Sequence, residues 1–301
     1  MEFNFFTFIF LFAILTSVVA LLWLNFRQDR AIKISFNEVP EGFKETITLK
    51  DHQKAGHYTQ AKLLANHFEI IFSTIVLLIW TLGGAMNWLD VFWHEKISDP
   101  IWLGTIFILS IMLIASFIDL PFSIYRNFIL EERFGFNRMT IKTFTSDLIK
   151  ELILTLALGM PLIYAILYLM NMSAIGDYWW IYVWAILSLF TITMMWIYPT
   201  FIAPIFNKFK PLENNSLRNR IDSLLERTGF GSDGIFIMDG SKRSSHGNAY
   251  FTGIGRNKRI VFFDTLLKGM EDEEIEAILA HELGHFHHKH VRQRIVSSFI
   301  F

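Results

Sequence analysis

The sequence predicts an all-α, multi-helix membrane bundle that carries a smaller polar α+β domain toward its carboxyl-terminal end. Three observations support this. Of 301 residues, 52% are hydrophobic and 18% charged, against about 25% charged in an ordinary soluble domain. Five apolar stretches reach the roughly 20 residues that a helix needs to cross ~30 Å of hydrocarbon. Finally, residues 204–292 hold 13 basic and 12 acidic side chains, a soluble-like balance. The 27 Lys and Arg against 28 Asp and Glu leave no basic surplus, which excludes nucleic acid as a default partner. No cysteine occurs, so disulfides, thiolate metal sites and cysteine nucleophiles are excluded together, and histidine and carboxylate remain as the strong metal ligands. Thirty-one Phe and nine Trp suit side chains that face lipid and its interfaces.

The membrane region is expected over 1–203, with spans near 3–26, 67–89, 101–125, 151–171 and 178–203. The first span has Glu2 where a signal peptide carries basic residues, and its apolar run exceeds ~15 residues, so it reads as a retained helix. Asp119 and Pro121 interrupt the third span, with Arg126 within reach of the carboxylate. Seven basic residues fall in 27–66 and five in 126–150, while 90–100 holds only Lys96 and 171–180 none. Because basic residues are retained on the cytoplasmic side, the amino terminus is expected outside and the 204–292 domain in the cytoplasm.

Within that domain, Leu217, Ile221, Leu224 and Leu225 give 214–229 helical spacing, and Gly229 is a stop signal. Short strands are expected at 234–239, 248–252 and 259–263, with a turn at 253–258. A helix should begin near Glu271, where four successive acidic residues suit the positive end of its dipole, and Lys289, Arg292 and Arg294 suit the other end. Residues 293–301 read as the start of a sixth membrane helix.

The chemistry concentrates on this last helix. His281-Glu-Leu-Gly-His285 is an HExxH sequence, and the four-residue spacing places both imidazoles about 40° apart on one face, able to share one ion. Zn²⁺ is the expected cofactor; it would lower the pKa of a water toward ~7, with Glu282 taking the proton and returning it to the leaving amine. Gly284 would let a neighbouring backbone approach. His287, His288 and His290 are read as surface or supporting groups, because His287 and His290 rotate away from the metal face and His288 lies further along the axis. Position 291 is Val, where another zincin pattern has a third histidine, so the local motif lacks its third ligand. Some thirty residues earlier, Asn248 and Ala249 open a strand that would pair with an extended substrate as an edge. Asn248 adds a side-chain hydrogen bond, Ala249 gives close approach, and His246 is a possible supporting group.

These residues resemble the type 1 CAAX prenyl proteases, membrane zinc endopeptidases of the gluzincin kind. The likeness is carried by EERFGFN at 131–137, APIFNKF at 203–209, GSKRSSH at 240–246, NAYF at 248–251, NKRIV at 257–261, FDTL at 263–266, and His281, Glu282, His285 and His290. The resemblance implies seven helices around a large chamber, a metal site facing its interior, and cleavage near the carboxyl terminus of prenylated peptides or proteins. It also implies the endoplasmic reticulum in a eukaryote or the inner membrane in a bacterium. Two departures stand out. Gly247 replaces a common Ser, which would loosen the loop before the substrate strand. The family's third ligand, a Glu, and a late histidine lie past Phe301, so weak zinc retention and little activity are expected of 1–301 alone.

The alternatives are a quality-control protease for misfolded membrane proteins, a zinc transporter, and a non-catalytic receptor for lipidated peptides. The charges flanking the HExxH run, Glu271 to Glu276 before it and Lys289 and Arg292 after it, argue against a histidine-lined transport path.

Overall fold

The computed structural model describes residues 4–252, 258–290, 293, 294, 296 and 297. The expected turn at 253–258 therefore lies outside the described residues except for Lys258, as does most of the 293–301 segment. The chain forms two compact units, Met1–Phe134 and Gly135–Phe301.

The first unit holds α1 (Phe5–Ser35), α2 (Leu49–Thr81), α3 (Ala85–His94) and α4 (Pro100–Phe134). Each long helix starts on a side-chain cap. Asn4 accepts from the Thr7 N–H, Thr48 from the Asp51 N–H, and Asp99 from the Ile101 and Trp102 N–H groups ahead of Pro100. Each of the three helices runs past the span read from apolarity at one end or both, because helical hydrogen bonding continues into polar turns that no hydropathy window includes. The expected 67–89 span instead starts at Leu49, ends at Thr81 and gives way to a separate short helix, since Gly84 adopts φ 83° between them. Asp119 does not stand alone: the Arg126 guanidinium bonds it at 3.2 Å and Glu69 at 2.8 Å.

The second unit opens with α5 (Ile141–Met170) and α6 (Gly176–Phe206), giving five helices in all that are long and apolar enough to cross a membrane among the described residues. Both widen locally to π turns, at Thr155–Gly159 and Tyr198–Ile202. Pro161 and Pro204 cannot donate to Ala157 and Thr200 within those segments, and a register shift accommodates the missing bonds.

After α6 the chain builds β1 (Phe209–Pro211), α7 (Asn215–Thr228), β2 (Ile235–Met238), β3 (Ala249–Thr252), β4 (Arg259–Phe263), α8 (Asp264–Gly269) and α9 (Asp272–His287). The sheet order is β1-β2-β4-β3, with β2 and β4 parallel and both outer pairs antiparallel. The expected α7 and three strands stand where the sequence puts them, and Gly229 ends α7 in the left-handed region at φ 64°. Strand β1 and the six-residue α8 carry no periodic signal and are found only here. Leu217, Ile221 and Leu224 of α7, Ile275, Leu279 and Leu283 of α9, and Ile260 and Phe262 of β4 form one buried cluster. Each large side chain there contributes about 1.5–3 kcal/mol by leaving water.

Candidate metal centre

Helix α9 presents the HExxH motif because both its start and its back are fixed. Glu271 and Glu274 exchange reciprocal side-chain to backbone bonds across the first turn, a capping box. Ile275, Leu279 and Leu283, spaced by four, bury one face. The last turn is braced by Phe286, whose ring meets Phe230 edge-on at 4.7 Å and Phe251 of β3 at 6.3 Å. Lys258 lies 4.1 Å above both the Phe230 and Phe286 rings, and burial there pushes its pKa down. Helix α9 is thus tied to the strand beside it.

On the opposite side, the His281 and His285 rings stand 5.1 Å apart at 89°, both exposed, with Glu282 half-buried beside them. The helix ends at His287, earlier than the basic residues at 289–294 suggest. Lys289 takes the left-handed conformation at φ 56°, unusual for a side chain with a Cβ. That turn redirects the chain and brings His290 Nδ1 to 2.8 Å from His285 Nδ1. The ideal-helix argument that His290 rotates away therefore does not hold, because the helix stops first. Nothing in the sequence signals this turn. Among the described residues nothing lies within 4 Å of a Cβ built on Gly284, so the expected close approach of a backbone is not made by any of them.

Two imidazoles one turn apart with a carboxylate beside them, and no thiolate, fit the nitrogen and oxygen chemistry of a hydrolytic zinc site. Among the described residues no group of three His, Asp or Glu side chains converges to complete it.

The neighbouring loop is well anchored. Among the described residues β3 is an edge, paired only with β4. Asn248 is exposed; its Oδ1 accepts the Ala249 N–H at 2.9 Å and its carbonyl accepts the Phe263 N–H at 2.9 Å. The Ala249 side chain packs into the core at 5% exposure, so only its backbone is at the edge. His246 stacks on Phe136 at 4.4 Å, and its carbonyl accepts the Thr265 hydroxyl at 2.8 Å. Gly247 does not loosen the loop: a Cβ there would sit 3.0 Å from Leu266 Cδ1 and 3.2 Å from its Cα, so the glycine permits close packing. At the loop's start, Asp264 accepts from the Ser241 N–H at 2.8 Å and from its hydroxyl. Burial raises the Asp264 pKa, but these bonds outweigh it and hold the carboxyl below its usual value.

Comparison with known proteins agrees with this arrangement. Residues 28–208 match the sequence profile of the CAAX prenyl protease N-terminal region with five membrane helices, and 211–300 match peptidase family M48. The CAAX prenyl protease 1 homolog of Dictyostelium discoideum is 37% identical over 91% of this chain and 65% of its own length. CAAX prenyl protease 1 of Saccharomyces cerevisiae is 35% identical over 92% and 62%. The crystal structure of S. mikatae Ste24p superposes with a TM-score of 0.85 at 34% identity, covering 95% of this chain and 68% of that one. The chain thus spans a little under two thirds of the length of the first two relatives. With a five-helix membrane region followed by the HExxH domain, and with both profiles matched in that order, the chain belongs to the CAAX prenyl protease branch of peptidase family M48.

Proposed function

We propose that the protein is a membrane-embedded zinc endopeptidase that hydrolyses peptide bonds near the carboxyl terminus of prenylated proteins. The observation that carries this reading is the pair of imidazoles 5.1 Å apart on α9, with Glu282 between them in sequence and half-buried beside them. His281 and His285 would hold the zinc, and the family's pattern assigns the remaining ligand to a glutamate past position 301. When bound, zinc acidifies a water and polarises the scissile carbonyl. Glu282 would take a proton from the attacking water and return it to the leaving amine. His290 fixes the tautomer of His285 that leaves Nε2 free for the metal by accepting the hydrogen on its Nδ1. The edge of β3, opened by Asn248 and Ala249, receives the substrate backbone, and Asn248 Oδ1 releases the Ala249 N–H when it does. His246 supports the loop through its stack on Phe136.

The domain assignment follows: membrane region 1–203, peptidase domain 204–292 on the cytoplasmic side, and a further membrane helix beginning at 293. In a eukaryotic cell the membrane is that of the endoplasmic reticulum. A Glu282→Gln variant, assayed on a farnesylated peptide with product mass spectrometry and elemental zinc analysis, tests the reading. It should lose turnover by about 10²-fold or more while keeping its zinc. Undiminished hydrolysis would refute the role of Glu282.

A further inference from the structure

Two of the sequence motifs, around 131–137 and 240–246, enter the account above only through the His246 stack on Phe136, yet the structure joins them further. The Ser245 N–H donates to the Phe136 carbonyl at 3.0 Å and the Arg138 N–H to the Arg243 carbonyl at 3.0 Å, an antiparallel bridge centred on Asn137 and Ser244. The Arg243 side chain completes the junction. Its Nε donates to Asp147 Oδ2 of α5 at 2.8 Å, one terminal nitrogen to Asn207 Oδ1 at 2.5 Å and the other to the Phe206 carbonyl at 2.8 Å. Asp147 is buried and Arg243 half-buried, so the pair is shielded from the solvent that weakens surface ion pairs. One guanidinium thereby fastens the loop to α5 and to the end of α6 at a point six residues before the edge strand begins.

We infer that Arg243, held by Asp147 and Asn207, is a positioning residue that sets the place of the β3 edge for the substrate backbone. This rests on the proteolytic reading above. None of the three residues belongs to the buried cluster that holds α9, which also takes in Ala249, so they act on it only through the loop. They fix where the loop delivers Asn248 and Ala249. A loop that shifts the β3 edge weakens its backbone pairing with the substrate, and that loss is read in KM. The fork shape of arginine is required, because three acceptors lie in three directions, and lysine cannot reach all of them from one point charge.

The test uses the zinc-loaded, full-length protein in detergent, with steady-state kinetics on a farnesylated peptide and zinc content measured in parallel. Arg243→Gln and Asn207→Ala should each raise KM about tenfold, equivalent to ~1.4 kcal/mol, with kcat and zinc unchanged, and Arg243→Lys should fall between Arg243→Gln and wild type. Removing the arginine leaves the buried Asp147 with only Lys150, at 3.7 Å, as a counter-charge, which weakens the fold. Asn207→Ala keeps that ion pair, and so decides the matter if Arg243→Gln fails to fold. Unchanged KM in Asn207→Ala overturns the inference, as does a parallel fall of kcat and zinc, which marks a general structural role. A zinc-loaded wild type that leaves the peptide intact refutes the proteolytic reading itself, and this inference with it.

Discussion

Replacing His290 with alanine isolates the contribution of a single ring to metal binding. Its Nδ1 lies 2.8 Å from His285 Nδ1, so one hydrogen is shared between them. When His285 offers Nε2 to a metal, Nδ1 carries that hydrogen and His290 accepts it, which fixes the tautomer and raises ligand basicity. Loss of such a partner costs about 10- to 100-fold in metal affinity, or ~1.4–2.7 kcal/mol. Both rings are exposed, and water can replace part of the lost bond, so the expectation is the lower end, near tenfold. The assay is competition for zinc against a chelator of known affinity at fixed pH, with wild type, His290→Ala and His290→Gln. Glutamine offers a carbonyl acceptor and should recover part of the loss. Wild-type affinity in His290→Ala, or a glutamine variant as weak as alanine, would refute the tautomer argument.

Leu279 is 1% exposed at the centre of the face that α9 packs inward, and Leu279→Ala should destabilise the protein by about 2–5 kcal/mol; an unchanged thermal midpoint in detergent would contradict this packing account. Asp264 gives a pH prediction. Its carboxyl is held below the usual value of 3.8 by the Ser241 bonds. A depressed carboxylate contributes stability that is present above the unfolded value and is lost as pH falls through the lower folded one. Thermal midpoints measured downward from pH 6 should therefore fall near and below pH 3.8 more steeply in wild type than in Asp264→Asn, and parallel curves would show that the Ser241 bonds contribute nothing.

Apolarity and charge patterning reveal the membrane region because lipid imposes a length and a polarity on each span. They do not reveal where the helices end, as α2 shows by starting at Leu49 among polar residues and stopping before Gly84. In the polar domain, α7 is legible from four apolar residues at helical spacing and a terminal glycine, and α9 from its acidic first turn. Strand β1 is three residues long and contains Lys210 and Pro211, so only its pairing with β2 defines it. The HExxH pair is legible because spacing alone puts both rings on one face. The return of His290 is not, since it depends on the left-handed turn at Lys289, which no propensity favours. Likewise Ala249 reads as a small residue open to substrate, while strand alternation turns its side chain into the core.

The most direct test is the zinc stoichiometry of the purified full-length protein beside its His281→Ala and His285→Ala variants, measured by elemental analysis. About one zinc per polypeptide in the wild type, and essentially none in either variant while both remain folded, is the result expected if these two imidazoles grip the ion together. Zinc retained at wild-type levels after loss of either ring would place the metal elsewhere and contradict the assignment.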